Sequence, residues 1–190
     1  IDMQPGEKIT SLISINGFAE NEYLTMVTKF GVIKRTLLSE YEYQRKGGKI
    51  ALNLDEGDEL VFVMHTHGEA DLILATHEGS AARFSEKDVR PLGRTARGVR
   101  GMRLSETDRI VGVMLASPDK KVLTITENGY GKRTDFDKYE ERNRGIQGVR
   151  CHGLSDKTGL LAGIAAVDDG DDLMMITDQG TIIRIPVKGI

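Results

Sequence analysis

Four strings in this chain follow one template: "YLTMVTKFGVIKR", "DLILATHEGSAAR", "KVLTITENGYGKR" and "DLMMITDQGTIIR". Each has an apolar run, a Thr, two mostly polar residues, a Gly, and an Arg four positions beyond the Gly. The glycines are Gly31, Gly79, Gly129 and Gly180, separated by 48, 50 and 51 residues; the arginines are Arg35, Arg83, Arg133 and Arg184. Chance does not align four such strings, and a period of this length points to an array of like units. Each string reads as a β-hairpin. The first arms (24–27, 72–75, 122–125 and 173–176) are short and apolar on both faces, as in strands buried between two layers. The Gly supplies the positive φ of the tight turn, most plainly at Asn128-Gly129.

A second, looser series lies between the hairpins: "QRKGGKI" (44–50), "TARGVRG" (95–101) and "RNRGIQG" (142–148). With Gly47, Gly98 and Gly145 as equivalents, the spacings are 51 and 47, close to the hairpin period. After each comes a short extended run, a turn ("LDEGDE", "LSETDR", "LSDKTG") and another apolar strand (60–64, 110–115, 160–167). One repeat therefore reads strand, Gly turn, strand, basic glycine loop, strand, acidic turn, strand. Four strands per repeat predict an all-β, propeller-like fold of four-stranded blades. The opening "EKITSLISI" reads as the last strand of a preceding repeat, and the closing "TIIRIPVKGI" as the start of an incomplete one. The chain is read as one domain, 1–190, of consecutive blades with the first and last incomplete.

The formal net charge of −3 hides a segregation. Bases recur at one phase of the repeat, and acids (Asp55, Glu56, Asp58, Glu59; Asp168, Asp169, Asp171, Asp172) mainly at another. Between Val89 and Leu104 lie Arg90, Arg94, Arg97, Arg100 and Arg103 with no acid. Stacked repeats would gather these bases into a stripe, and an anionic polymer responds to local charge rather than to the net value. Glycines beside the bases let a backbone approach a phosphate and offer N–H donors. Aromatics are 5% with no Trp, which gives little support for base stacking.

No catalytic constellation emerges. "GYGKRT" (129–134) lacks the earlier glycine of a phosphate loop and has Arg133 where Ser or Thr should follow Lys132. Cys151 and His152 are neighbours on a strand and point to opposite faces, which suits packing better than nucleophilic catalysis. His65 and His67 have no third metal ligand at useful spacing along the sequence, so no metal site is expected there. The acids of 168–172 lack the regular spacing of a calcium loop. The single cysteine excludes an internal disulfide and suits a reducing compartment, and no apolar run approaches a membrane span.

The stretches "ALNLDEGDELV", "RFSEKDVRPLGRTARGVRGMRL", "ENGYGKRT", "RGIQGV" and "MMITDQGT" resemble the C-terminal domain of bacterial DNA gyrase A, and the resemblance runs over essentially the whole chain. It implies a six-bladed β-pinwheel whose blades exchange strands with neighbours and whose basic perimeter bends duplex DNA. In the parent type II topoisomerase, wrapping makes strand passage introduce negative supercoils. The family's gyrase box reads Gln-Arg-Arg-Gly-Gly-Lys-Gly, whereas residues 44–50 end in Ile50. That stretch therefore resembles the loop of an internal blade, with the true box expected upstream of Ile1. The phosphate-contacting set is taken as Lys34, Arg35, Arg45, Lys46, Lys49, Arg83, Arg94, Arg97, Arg100, Arg103, Lys132, Arg133, Arg142, Arg144 and Arg184.

The resemblance also implies three partners (duplex DNA, the gyrase A cleavage core and gyrase B) and a cytoplasmic, nucleoid-associated location. ATP and Mg are expected for the parent complex, with no cofactor in this chain. The resemblance also implies that the parent's catalytic tyrosine belongs to another region, and Tyr23, Tyr41, Tyr43, Tyr130 and Tyr139 are read as lying in strands or loops without an acidic metal cluster. Two alternatives are the corresponding domain of topoisomerase IV and a protein-interaction propeller without a DNA role.

Overall fold

The computed structural model describes residues 3, 5–43 and 47–190, so Arg45 and Lys46 lie outside the described residues. Thirteen strands are assigned among them, joined by turns and by short 3-10 segments after each hairpin, with no α-helix. The hairpins are β1 (Tyr23–Thr28) with β2 (Val32–Leu37), β4 (Asp71–Thr76) with β5 (Ser80–Ser85), β8 (Lys121–Thr126) with β9 (Gly131–Asp135), and β12 (Asp172–Ile176) with β13 (Ile182–Pro186). The apolar strand closing each repeat, β3 (Leu60–Thr66), β7 (Ile110–Leu115) or β11 (Leu161–Val167), pairs antiparallel with the first arm of its hairpin.

The recurring Thr and Gly of the template have one physical task. Gly31, Gly79, Gly129 and Gly180 have φ of 81, 82, 80 and 82°, and each donates its N–H to the carbonyl of the Thr three residues before it. That Thr closes the turn a second time through its hydroxyl. Thr28, Thr76, Thr126 and Thr177 accept from the backbone N–H of Val32, Ser80, Tyr130 and Thr181, at 3.0 to 3.3 Å. Acids buttress the first two turns. Asp58 Oδ1 accepts from Phe30 N at 3.0 Å, and Asp108, fifty residues on, accepts from Glu78 N at 3.0 Å. The "acidic turn" of the repeat is thus partly a cap on the hairpin beside it.

The glycine loops do not complete their own blades. β6 (Val99–Arg100) pairs with β2, and β10 (Val149–Arg150) with β5, so each sheet receives its outer strand from the following repeat. The orders are β3-β1-β2-β6 and β10-β5-β4-β7, followed by a three-stranded sheet β11-β8-β9 and the two-stranded β12-β13. Among the described residues two sheets are therefore four-stranded. The fourth repeat contributes only its hairpin, so β9 receives no outer strand among the described residues.

Gly98 and Gly148 fix the exchange. A Cβ on Gly98 (φ 108°) would lie 2.7 Å from the Ile33 carbonyl oxygen, and one on Gly148 (φ 82°) would lie 2.6 Å from that of Ala81. The true equivalents are therefore Gly98 and Gly148, not Gly98 and Gly145 as the looser sequence register has it.

The core lies between blades. One cluster joins Val27 and Ile33 of the first blade to Leu72, Leu74, Ala82 and Phe84 of the second; the next joins Ile73, Ala75 and Ala81 to Val122, Phe136 and Leu161 of the third. Alternate residues of β4 thus feed opposite clusters, which is why the run "LILA" is apolar at every position. Residues 7–15, expected as a strand, have no ladder partner among the described residues, and Ile9 and Leu12 are exposed. A strand exists only where a neighbour takes its N–H and C=O groups, and no described strand flanks this one.

Candidate nucleic-acid interface

The bases of the repeat divide into two populations. The hairpin arginines look inward. Arg35 is buried, its Nη1 lies 3.6 Å from Glu86 Oε2 and its guanidinium stacks on the Tyr23 ring at 4.4 Å. Arg83 donates to Asp71 Oδ2 at 3.0 Å through Nε and to the Tyr139 carbonyl at 3.1 Å, and covers the Phe136 ring at 4.1 Å. Arg133 pairs with Asp169 and donates to the Ile190 carbonyl at 3.0 Å. Each of these three grips the 3-10 turn or loop of the next blade. Arg184 pairs with Asp172, the position that Asp71 holds for Arg83 twelve residues before it, but stays largely exposed.

Lys34 is fully buried. Its ammonium donates to the Ala51 carbonyl at 2.6 Å and to the Arg94 carbonyl, tying the second hairpin arm to two glycine loops. Burial, with Arg94 nearby, pulls its pKa down to about 8. The sequence-based set is corrected accordingly. Lys34, Arg35, Arg83 and Arg133 are consumed inside the blade stack and present little or no charge to a polyanion. On β2 the next blade covers one face and the glycine loops at Ala51 and Arg94 the other, so Lys34 and Arg35 are buried although charged.

The loop bases are anchored less deeply. Arg94 donates to the Ile50 carbonyl at 3.4 Å and Arg144 to the Arg100 carbonyl at 3.0 Å, the same contact one repeat apart. Lys49 donates to the Glu40 carbonyl at 2.9 Å. Arg97 and Arg142 hold surface pairs with Asp55 and Glu140, at 2.6 and 2.7 Å. Exposed pairs of this kind contribute ~0–1 kcal/mol and yield readily to a competing anion.

Arg90, Arg100, Arg103, Lys132 and Arg150 are exposed, and no acid pairs with them among the described residues. Arg100 and Arg150 occupy the same place on consecutive blades, the second residue of each exchanged outer strand, opposite Val32 and Ser80. A groove of about 560 Å³ at the first is lined by Arg100 and Arg103 together with Glu106 and Asp108; one of about 320 Å³ at the second is lined by Lys138, Arg142 and Arg150 together with Glu140. Arg150 falls outside the sequence-based set because that loop is registered there on Gly145. The signal is present in the sequence, since "GVRG" and "GVRC" stand fifty residues apart.

Cys151 and His152 are both buried. The thiol contacts the Gly79 carbonyl at 3.3 Å, and burial pushes its pKa up to about 11. His152 Nδ1 and the Thr124 hydroxyl are hydrogen-bonded at 2.8 Å. Both side chains serve packing. The third ligand that His65 and His67 lack in sequence is present in space, where Glu22 lies beside both rings. No helix among the described residues is long and apolar enough to cross a membrane.

Serially packed sheets, the first two each closed by a strand from the next repeat that carries an exposed arginine, define a strand-exchanged β-propeller with arginines on its outer strands. The chain belongs to the family described as DNA gyrase C-terminal domain, beta-propeller, whose model matches residues 22–67, 70–117, 120–168 and 171–190, one match for each hairpin repeat. The DNA gyrase A protein of Clostridium acetobutylicum is 47% identical over 190 residues, covering all of this chain and 23% of that relative. That of Escherichia coli is 40% identical over the whole chain and 22% of its own length. The chain thus spans under a quarter of the curated relatives it matches. Among solved structures, a C-terminal domain of DNA topoisomerase IV superposes with a TM-score of 0.91 at 33% identity, covering 99% of this chain and 59% of that one. A DNA gyrase A C-terminal domain gives 0.87 at 26%, covering 100% and 64%.

Proposed function

We propose that this chain binds duplex DNA along its outer strands without reading sequence, and bends it as the wrapping module through which DNA gyrase introduces negative supercoils. The reading rests on one observation above all. Arg100 and Arg150 recur at one register on consecutive exchanged strands and are exposed without an acid partner among the described residues. Phosphates would pass from blade to blade over Arg100, Arg103, Arg150, Arg90 and Lys132, with Arg97, Arg142, Arg94, Arg144, Lys49 and Arg184 joining as their surface contacts yield. Arg45 and Lys46 belong to the same proposed set by sequence. Contacts of this kind position a duplex without specifying its bases.

In this proposal the four blades act as one module of a six-bladed pinwheel in a cytoplasmic enzyme. In this reading the chain contributes no catalytic group of its own. ATP and Mg would be used by the parent complex, whose other parts are the gyrase A cleavage core and gyrase B.

The test is a titration with duplexes of unrelated sequence at several salt concentrations. Log K falls linearly with log salt, at about −0.9 per neutralised phosphate. Changing Arg100 and Arg150 together to Ala flattens that slope by about two units and weakens all sequences alike. An unchanged slope, or a strong sequence preference in the native chain, rejects the rim.

A second reading, the corresponding domain of topoisomerase IV, is favoured by the 0.91 superposition. Closing a nicked plasmid in the presence of the chain separates the two. A shifted topoisomer distribution supports wrapping as in gyrase, and binding without a shift supports the second reading.

A further inference from the structure

We infer that Glu22, His65 and His67 form a binding site for a divalent transition-metal ion of the zinc type, at the point where the chain enters the first blade. The β1–β3 ladder places them. Tyr23 is opposite Thr66 and Leu24 opposite His65, so one further step of the same antiparallel register sets Glu22 opposite His67, with His65 on the diagonal. His65 and His67, two apart, share a face of the strand while Thr66 points into the core. The three donors thus converge from two adjacent, hydrogen-bonded segments. Glu22 is further fixed by its carbonyl, which accepts from Leu38 N at 2.8 Å.

The distances suit coordination better than hydrogen bonding. Glu22 Oε2 lies 3.6 Å from His65 Nε2 and Oε1 lies 3.9 Å from His67 Nδ1, both beyond a hydrogen bond, and all three ligand atoms fall within 4.8 Å of one another. Bonds of ~2.0–2.2 Å to a tetrahedral zinc set ligand atoms ~3.3 Å apart, so closing on an ion asks only for small side-chain rotations. The two imidazoles are tilted at 56° with centroids 4.7 Å apart, so their nitrogens converge without the rings stacking flat.

A second observation points the same way. His65 Nε2 is buried and has no hydrogen-bond partner, and an orphaned nitrogen of that kind is otherwise a cost to the fold. Two imidazoles and a carboxylate are the borderline-soft and hard donors that zinc accepts, leaving a fourth position for water. Calcium or magnesium would ask for an all-oxygen shell.

The experiment is calorimetric titration of the native chain with Zn²⁺ alone, with Co²⁺ as a spectroscopic reporter of tetrahedral geometry. One equivalent is expected to bind, with the intense visible bands of four-coordinate cobalt. His67→Ala, at an exposed ring, and Glu22→Gln, which preserves size, each lower affinity by at least about tenfold. Circular dichroism confirms that both variants keep the sheet. His77→Asn, which removes a histidine already paired with Glu127, leaves binding unchanged. Absence of saturable binding overturns the site. So does binding of equal strength in the His65→Asn/His67→Ala variant, which would place the ion at His77 or His152.

Discussion

Lys34 shows how a single residue in this fold can contradict its ordinary behaviour. A lysine in a strand usually reaches water, yet this one spends its charge on two carbonyls in a closed space. Its pKa of about 8, against 10.5 in the unfolded chain, means that the unfolded state holds more protons between those values. Stability therefore rises with pH across roughly 8 to 10.5 on account of this group, since unfolding is then coupled to proton uptake. Cys151 opposes it in the same window. Burial raises its pKa from 9.0 to about 11, so stability is lost as pH climbs above 9.

The two effects separate in a difference measurement. Denaturant unfolding of native chain and Lys34→Met, compared at pH 7.5 and 10, gives a difference that shifts in favour of the native chain at the higher pH. A difference independent of pH would mean that the ammonium is not perturbed. Nothing in "GVIKRTL" announces this, because the burial comes from the loops at Ala51 and Arg94, far along the chain, rather than from local pattern. Arg35, Arg83 and Arg133 mislead a sequence reading for the same reason. Their periodicity is plain in the sequence, but periodicity does not tell a recurring internal bolt from a recurring surface charge.

At the scale of elements, the hairpins are legible because each turn carries its own chemistry. The Thr hydroxyl, the Gly φ and the Asn128-Gly129 dipeptide act within five residues of one another. The exchanged strands are only half legible. Gly98 and Gly148 are required by carbonyls of the preceding blade, Ile33 and Ala81, which no local reading finds. The consequence is measurable. Gly148→Ala combines φ of 82° with a 2.6 Å approach to a carbonyl oxygen, and is expected to cost about 2 kcal/mol or more. Gly153→Ala meets nothing within 4 Å, and is expected to stay within about 0.5 kcal/mol of the native chain. Chemical denaturation of the two variants compares them directly, and equal stabilities would discard the close-packing account. The Glu22–His65–His67 group is illegible on the same grounds, since its members meet through the β1–β3 register and not through spacing.

Across the whole molecule, the hydrophobic clusters lie between sheets and the outer strands cross from repeat to repeat, so stability should grade along the array. β4 is the most enclosed element, with Leu72, Ile73, Leu74 and Ala75 at 0% exposure, whereas Met174, Ile176 and Ile182 of the last hairpin are more than half exposed. Native-state hydrogen exchange is expected to protect the amides of β4 near the global limit and to release those of β12 and β13 by local opening. Uniform protection across all four sheets would instead mark a single cooperative unit.

The crossing of β6 and β10 also sets a schedule for the ribosome. The edge of β2 at Val32 waits for Arg100, about seventy residues later in the chain, and Ser80 waits as long for Arg150. At a synthesis rate of ~5–20 residues per second, each blade leaves the exit tunnel with one flank bare for several seconds. An uncovered strand is a template for pairing with any other strand nearby, including the same flank on a neighbouring nascent chain of the polysome. Translation speed through each glycine loop therefore becomes a determinant of how much of this protein reaches its own fold instead of a neighbour's.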